Sequence, residues 1–309
     1  MLEDQAASLR KKARKAQAKA EQQDTDNESS LDPSLMFGKK HSTRVITITS
    51  GKGGVGKTNI AVNLAIALQL MNKRTLLIDA DIGMANVDLI LGSVSHRNML
   101  DLLEDGVELK DIVIDSTFGI NYVSGSSGIE RALNFTKKEQ KILHKKLAAA
   151  DKLADIILID TGAGLGRQVL DFIVAADETL LVTTNEPTSI SDAFAVLKMY
   201  CRNSKKRDIR IIVNRIDEID ESEDVTSKLR DAARKFLEIP ITVPIDCAGY
   251  VFEDRSVQDA VKKQMPFIVD KPTSPASRCI IALANHLLTD QTIRVKRGWR
   301  GFLRRLFSR

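Results

Sequence analysis

Eight consecutive residues, Gly51-Lys52-Gly53-Gly54-Val55-Gly56-Lys57-Thr58, satisfy the pattern G-x-x-x-x-G-K-[ST]. Glycines in that arrangement let successive backbone N–H groups curl around an anion. A helix starting directly afterwards would add its positive end to the same point. Lys57 is then placed for the β- and γ-phosphates of a nucleoside triphosphate, and the Thr58 hydroxyl for Mg²⁺. Asn59, the next residue, completes the nucleotide-contacting run. Lys52 is a second lysine inside the loop, one charge more than a single γ-phosphate site needs.

The motif has meaning only between a strand and a helix, and the flanking sequence predicts both. Val45–Ser50 is a short β-branched run, and the segment 58–71 is amphipathic and of helical length. Six further strand-like runs follow, at 75–79, 120–124, 155–160, 178–184, 209–214 and 239–245. Most are continuously apolar, as strands buried on both faces of a parallel sheet must be. Helix-length segments at 134–150, 188–202, 221–237, 248–262 and 275–289 alternate with them. This predicts a doubly wound, mainly parallel α/β sheet flanked by helices over 44–290. Residues 1–20 are Ala-rich with one helical stripe, 21–43 read as a polar linker, and 291–309 as a basic linker with a terminal helix.

Composition sets limits on the rest. In 309 residues no stretch approaches the roughly 18 uninterrupted apolar residues of a spanning helix, and the N-terminus lacks a signal-like apolar core. Cys201, Cys247 and Cys279 are scattered, which points to a reducing cytoplasm rather than a disulfide framework or zinc site. The net charge of +5 is uneven. Residues 1–20 carry six bases against Glu3 and Asp4, and 293–309 carry seven bases and no acid, so the body between is acidic. A nucleic-acid-binding fold usually carries its basic surface on the domain itself. Partners are therefore expected at the two ends.

With Lys52 in place, KGGVGKT resembles the deviant phosphate loop of the MinD/ParA ATPase family. That resemblance implies an ATP-dependent homodimer in which Lys52 reaches the partner's nucleotide. The run Asp79-Ala80-Asp81, followed by Gly83, Asn86, Asp88, Leu89 and Gly92, resembles the family's first switch. It implies that Asp81 positions the attacking water, with Asp79 and Asp160 as outer-sphere Mg²⁺ partners. A carboxylate at a strand end can orient water in this way, and it can equally cap a helix. Asp160-Thr161-Gly162-Ala163-Gly164 would be the second switch. Asn214 and Pro244-Ile245-Asp246 resemble the family's adenine-reading positions, since an amide can both donate to and accept from a base edge.

At the C-terminus, Trp299, Phe302, Leu303, Leu306 and Phe307 fall on one helical stripe with arginines opposite. Aromatic anchors with a basic polar face suit an interfacial helix that lies on anionic lipid. The alternatives are a helix packed on its own domain and a tail that binds nucleic acid. The stripe also resembles the MinD membrane-targeting sequence. At the N-terminus, Asp4, Gln5, Leu9 and Arg10 fit D-Q-A-x-x-L-R, resembling the peptide with which a flagellar branch of the family (FlhG, YlxH or FleN) stimulates the FlhF GTPase. The expected protein is a regulatory ATPase that is cytoplasmic as a monomer and peripheral to the inner membrane surface when ATP-bound. Expected partners are an FlhF-like GTPase, flagellar switch-complex proteins or a flagellar transcription regulator. A MinD-type division regulator and a ParA-type DNA-partitioning ATPase are the competing readings. An iron–sulfur reductase is excluded because neither switch segment holds a cysteine.

Overall fold

The structure, a computed structural model, describes residues 43–81, 86–125, 136–204, 209–237, 245–289 and 298–307. The N-terminal peptide, including Asp4, Gln5, Leu9 and Arg10, lies outside the described residues, as does Pro244. The strands are β1 Arg44–Ser50, β2 Thr75–Ala80, β3 Ile114–Asp115, β4 Asn121–Val123, β5 Ile156–Ala163, β6 Glu178–Thr184, β7 Ile209–Ile216 and β8 Asp246–Phe252. Among single-turn pieces, the longer helices are α1 Lys57–Leu70, α2 Asn86–Leu91, α3 Lys137–Leu147, α4 Arg167–Ala175 and α5 Pro187–Asn203. They are followed by α6 Asp220–Phe236, α7 Arg255–Lys262, α8 Pro275–Thr289 and α9 Gly298–Phe307.

One sheet runs in the order β3-β4-β2-β5-β1-β6-β7-β8. Every pairing is parallel except the short β3–β4 ladder at one edge. β1 is buried at all seven positions because helices cover both of its faces, so its continuous apolar run has no wet side to alternate towards. The chain order reverses around β1, which puts the crevice at the carboxyl ends of β1 and its neighbours. The Gly51–Thr58 loop leaves β1 at that crevice.

Two elements depart from the sequence-based expectation. The strand expected at 239–245 lies, up to Pro244, outside the described residues, and β8 spans Asp246–Phe252, running into the segment 248–262 expected to be helical. Asp-Cys-Ala-Gly-Tyr-Val-Phe is a weak strand pattern, yet its small residues are what the packing requires. A Cβ on Gly249 would stand 3.2 Å from Leu283 Cδ1 of α8, so the strand reads as weak because a helix lies close against it.

The second departure is α9. Trp299, Phe302, Leu303 and Leu306 are at most 8% exposed, within an apolar cluster shared with α3, α4, β2 and β5. Trp299 stacks on Phe302 at 5.1 Å between ring centroids, Phe302 on Phe172 at 6.3 Å, and Phe307 meets His144 edge-on. The indole N–H donates to the Leu147 carbonyl at 2.5 Å. The Arg305 guanidinium donates to the Ala175 carbonyl, capping the end of α4. The five residues expected to face lipid therefore face the domain here, and self-packing is the alternative that the structure adopts. An amphipathic stripe specifies an apolar partner without specifying which one.

Burying four large side chains at roughly 1.5–3 kcal/mol each makes this docking a substantial part of domain stability. Trp299→Ala should accordingly destabilise the folded chain by about 3–5 kcal/mol. Denaturant unfolding measures this; an unchanged midpoint would show the helix to be a loosely held tail.

Candidate functional site

The phosphate loop is shaped by close approaches that forbid side chains. A Cβ on Gly51 would lie 2.3 Å from the Asp192 backbone of α5, and one on Gly56 2.3 Å from Asn214 Nδ2. Gly54 and Gly56 also adopt φ of 79° and 91°, which glycine enters without cost. Gly53 and Gly54 are exposed, whereas Val55 is buried and its carbonyl accepts from Asn214 Nδ2 at 2.7 Å. Asn214 is thus tied to the loop, with its carbonyl oxygen left for other partners.

Beneath the loop, Lys57 Nζ donates to Asp160 Oδ1 at 2.7 Å, both side chains buried. Asp160 Oδ2 is buried with no hydrogen-bond partner, an arrangement that costs free energy unless something fills it. Burial raises the Asp160 pKa, and the Lys57 charge and the Thr58 hydroxyl act on the same carboxylate to lower it. This donor set fits Mg²⁺: a hydroxyl, and a buried carboxylate oxygen with no hydrogen-bond partner. Among the described residues no cluster of His, Cys, Asp and Glu forms a complete metal cage, as expected of an ion held mainly through phosphates. Bound there, Mg²⁺ would neutralise charge on the β- and γ-phosphate oxygens, with Thr58 as ligand and Asp160 beyond its waters.

Asp81 lines a cleft of about 480 Å³ together with Lys57, Thr58, Asn59, Asn86 and Ala163. Asn86 Nδ2 donates to Asp81 Oδ2 at 3.2 Å, and Gly162 of the second switch leaves room for Oδ1. One carboxylate oxygen is therefore steadied by Asn86 while the residue borders the cleft, which suits a group that orients water. Asp79, expected as a second Mg²⁺ partner, is fully buried and engaged elsewhere. Its Oδ1 accepts from Asp81 N at 3.0 Å and its Oδ2 from Val87 N at 3.3 Å. In this structure it holds the Asp81 backbone and the first turn of α2. In the second switch, Thr161 is buried and donates to the Ile48 carbonyl, Ala163 edges the cleft, and Gly164 N–H donates to the Ser50 carbonyl at 2.9 Å.

The positions expected to read adenine do not all lie together. Asn214 lies near the carboxyl end of β7 and lines a pocket beside the loop with Gly56, Asn59, Val251, Glu253, Asp254 and Phe267. Ile245 and Asp246 do not reach it. Asp246 pairs in register with Arg210 near the start of β7, at the opposite end of the sheet. The carboxyl end of β8, at Val251–Asp254, supplies that wall instead. The signal available in sequence was the acidic pair Glu253-Asp254 after a small-residue run. Also missed were Glu186 and Thr188, to which Lys52 Nζ donates at 2.8 and 3.1 Å; the nearby lysine lowers the Glu186 pKa.

A family profile described as "AAA domain" matches residues 43–212. The antiactivator FleN of Pseudomonas aeruginosa is 36% identical over 80% of this chain and 87% of its own length. The chain belongs to the FleN/YlxH branch of the MinD/ParA-type ATPases. The Helicobacter pylori flagellum site-determining protein YlxH is 38% identical over 57% of this chain and 59% of its own. Among solved structures, the Aquifex aeolicus MinC:MinD complex matches with TM-score 0.61 at 28% identity, covering 83% of this chain and 99% of that one. Pyrococcus horikoshii MinD complexed with Mg-ADP matches with TM-score 0.63 at 25% identity, covering 79% and 96%. This FleN/YlxH-type chain is a P-loop ATPase of the MinD kind.

Two outcomes test the geometry. Gly56→Ala should abolish ATP binding in equilibrium dialysis while the fold persists by circular dichroism, because the added methyl collides with Asn214. The Asp79 pKa is raised to about 7 by burial and by the Asp160 charge. Between the unfolded value near 4 and about 7 the folded chain holds a proton that the unfolded chain has released, so this group's stabilisation falls as pH rises. The melting temperature of the nucleotide-free protein should therefore decline from pH 5 to 7.5, and Asp79→Asn should flatten that decline.

Proposed function

We propose that the chain is an ATP-driven dimerisation switch that regulates flagellar number or placement at the inner membrane surface. The observation that carries this reading is Lys52, held at the open mouth of the loop and 39% exposed. Its partner Glu186 is on the surface, and exposed ion pairs are weak, so a second protomer's phosphate can displace it cheaply. Exposed Gly53 and Gly54 allow close approach of a partner backbone, and the exposed Leu89 and Leu165 supply apolar surface near the cleft.

In this cycle Lys57 leaves Asp160 for the phosphates, and Asp81 orients the attacking water. Switch II then couples the result to the dimer face through Ala163 and Gly164. Membrane attachment requires that α9 undock, because its stripe cannot meet lipid and the core together. Among the described residues no helix is long and apolar enough to span a bilayer, so attachment would be peripheral. Residues 4–10, with Gln5 completing the active site, would stimulate an FlhF-like GTPase. The same ATPase chemistry would serve a MinD-type division regulator, and the first ten residues separate the two.

Asp81→Ala should bind ATP and sediment as a dimer with turnover reduced at least tenfold; unimpaired turnover would remove Asp81 from the mechanism. Trp299 is the single tryptophan, so its emission reads the state of α9 directly. With ATP and anionic vesicles, the emission should change together with co-sedimentation of the protein; co-sedimentation that survives deletion of 298–309 would refute the tail as anchor. A peptide of residues 1–20 should raise GTP hydrolysis by the GTPase partner, and Gln5→Ala should abolish that effect.

A further inference from the structure

The carboxyl end of β7 departs from regular geometry at one residue. Asn214 pairs with Val251 and Ile216 with Phe252, so Arg215 has no opposite number and forms a bulge. Its φ of 58° lies in the left-handed region, which an L side chain enters only at a cost. A bulge beside a functional site re-aims a side chain, and strain of this kind persists where the surroundings demand it. The consequence here is specific. Arg215 lines the base pocket with Asn214 and Glu253, and it also lines the phosphate cleft with Gly56 and Lys57.

Existing contacts do not account for the distortion. The side chain is half exposed, and its ion-pair partner among the described residues, Glu253, stands 3.8 Å away and is itself 42% exposed. That distance exceeds a hydrogen bond, and a pair this open contributes little. A regular β7 would give Arg215 a place in the β7–β8 ladder instead of the junction between the two pockets.

We propose that Arg215 grips the nucleotide, its guanidinium closing over the base–ribose end of a bound adenine nucleotide where the base pocket opens onto the phosphate cleft. A guanidinium is planar, permanently charged and able to stack on an aromatic face, whereas an ammonium is a compact point charge. Val251, Val257 and Phe267 line the same pocket and give a base an apolar surface to pack against. Asn214 would read the base edge, and Glu253 would hold the guanidinium in register. This inference rests on the reading of the cleft as an ATP site.

The test uses the full-length chain, titrated with ATP, ADP and inorganic tripolyphosphate by calorimetry. Arg215→Ala and Arg215→Gly should each weaken ATP and ADP by a similar factor, roughly tenfold, with tripolyphosphate unaffected. Arg215→Lys should recover little of the loss, because it keeps the charge without the plane. Arg215→Gly should also raise the melting temperature of the nucleotide-free protein by roughly 2 °C, since glycine adopts this φ freely. Wild-type affinity in both the Ala and Gly variants would overturn the proposal, as would an equal loss of tripolyphosphate binding. Lys57→Ala serves as the reference: if that variant bound ATP normally, the reading of the cleft would fail independently of Arg215.

Discussion

The Lys57–Asp160 ion pair is where the fold and the chemistry meet. Lys57 opens α1 and Asp160 lies within β5, so the contact joins the helix after the phosphate loop to the strand that leads into the second switch. Both groups are shut off from water, where breaking such a pair by removing one partner typically costs about 3–5 kcal/mol. A bound phosphate must therefore replace Asp160 as the counter-ion of Lys57, and Asp160, once released, must find another cation. The orphaned Oδ2 beside Thr58 suits magnesium-bound water in that role. On the proposed cycle nucleotide and metal would arrive as one neutralised unit, and the carboxylate that Lys57 releases lies on the strand leading into the second switch.

The parallel sheet and the phosphate loop were legible because each is written in contiguous residues. A strand, a glycine-rich turn and a helix follow one another from Val45 to Leu70, and local rules suffice. The pocket beside the phosphate loop was only half legible. Its first wall, Asn214, lies near the end of a strongly β-branched strand, whereas its second ends a strand rich in small residues. Gly249 is there for the sake of α8, a long-range demand that no window of sequence contains. The same limit applies to Asp79, whose carboxyl could serve a metal or a helix. The backbone N–H groups of Asp81 and Val87 engage it here, and only the folded chain brings them to it.

The terminal helix shows a different limit. Trp299, Phe302, Leu303 and Leu306 have the periodicity of a membrane-surface helix and also of a core helix, because hydrocarbon and protein interior reward the same pattern. What distinguishes them is a set of polar particulars. The indole N–H finds the Leu147 carbonyl, and the Arg305 guanidinium caps α4. Lipid tails offer neither contact, so the docked position is a specific site as well as an apolar one.

Under the proposed membrane cycle, a docked tail would make the fold a thermodynamic filter on location. If the helix is exposed in only a fraction of molecules, the apparent affinity for a bilayer is the intrinsic affinity reduced by that same fraction. An amphipathic helix strong enough to hold the protein on lipid unaided would leave its distribution insensitive to nucleotide. Sequestration moves the threshold instead, so a small change in docking free energy becomes a proportionally larger change in occupancy. Two tails on one dimer would steepen the response further, since both must undock before the second contact adds its avidity.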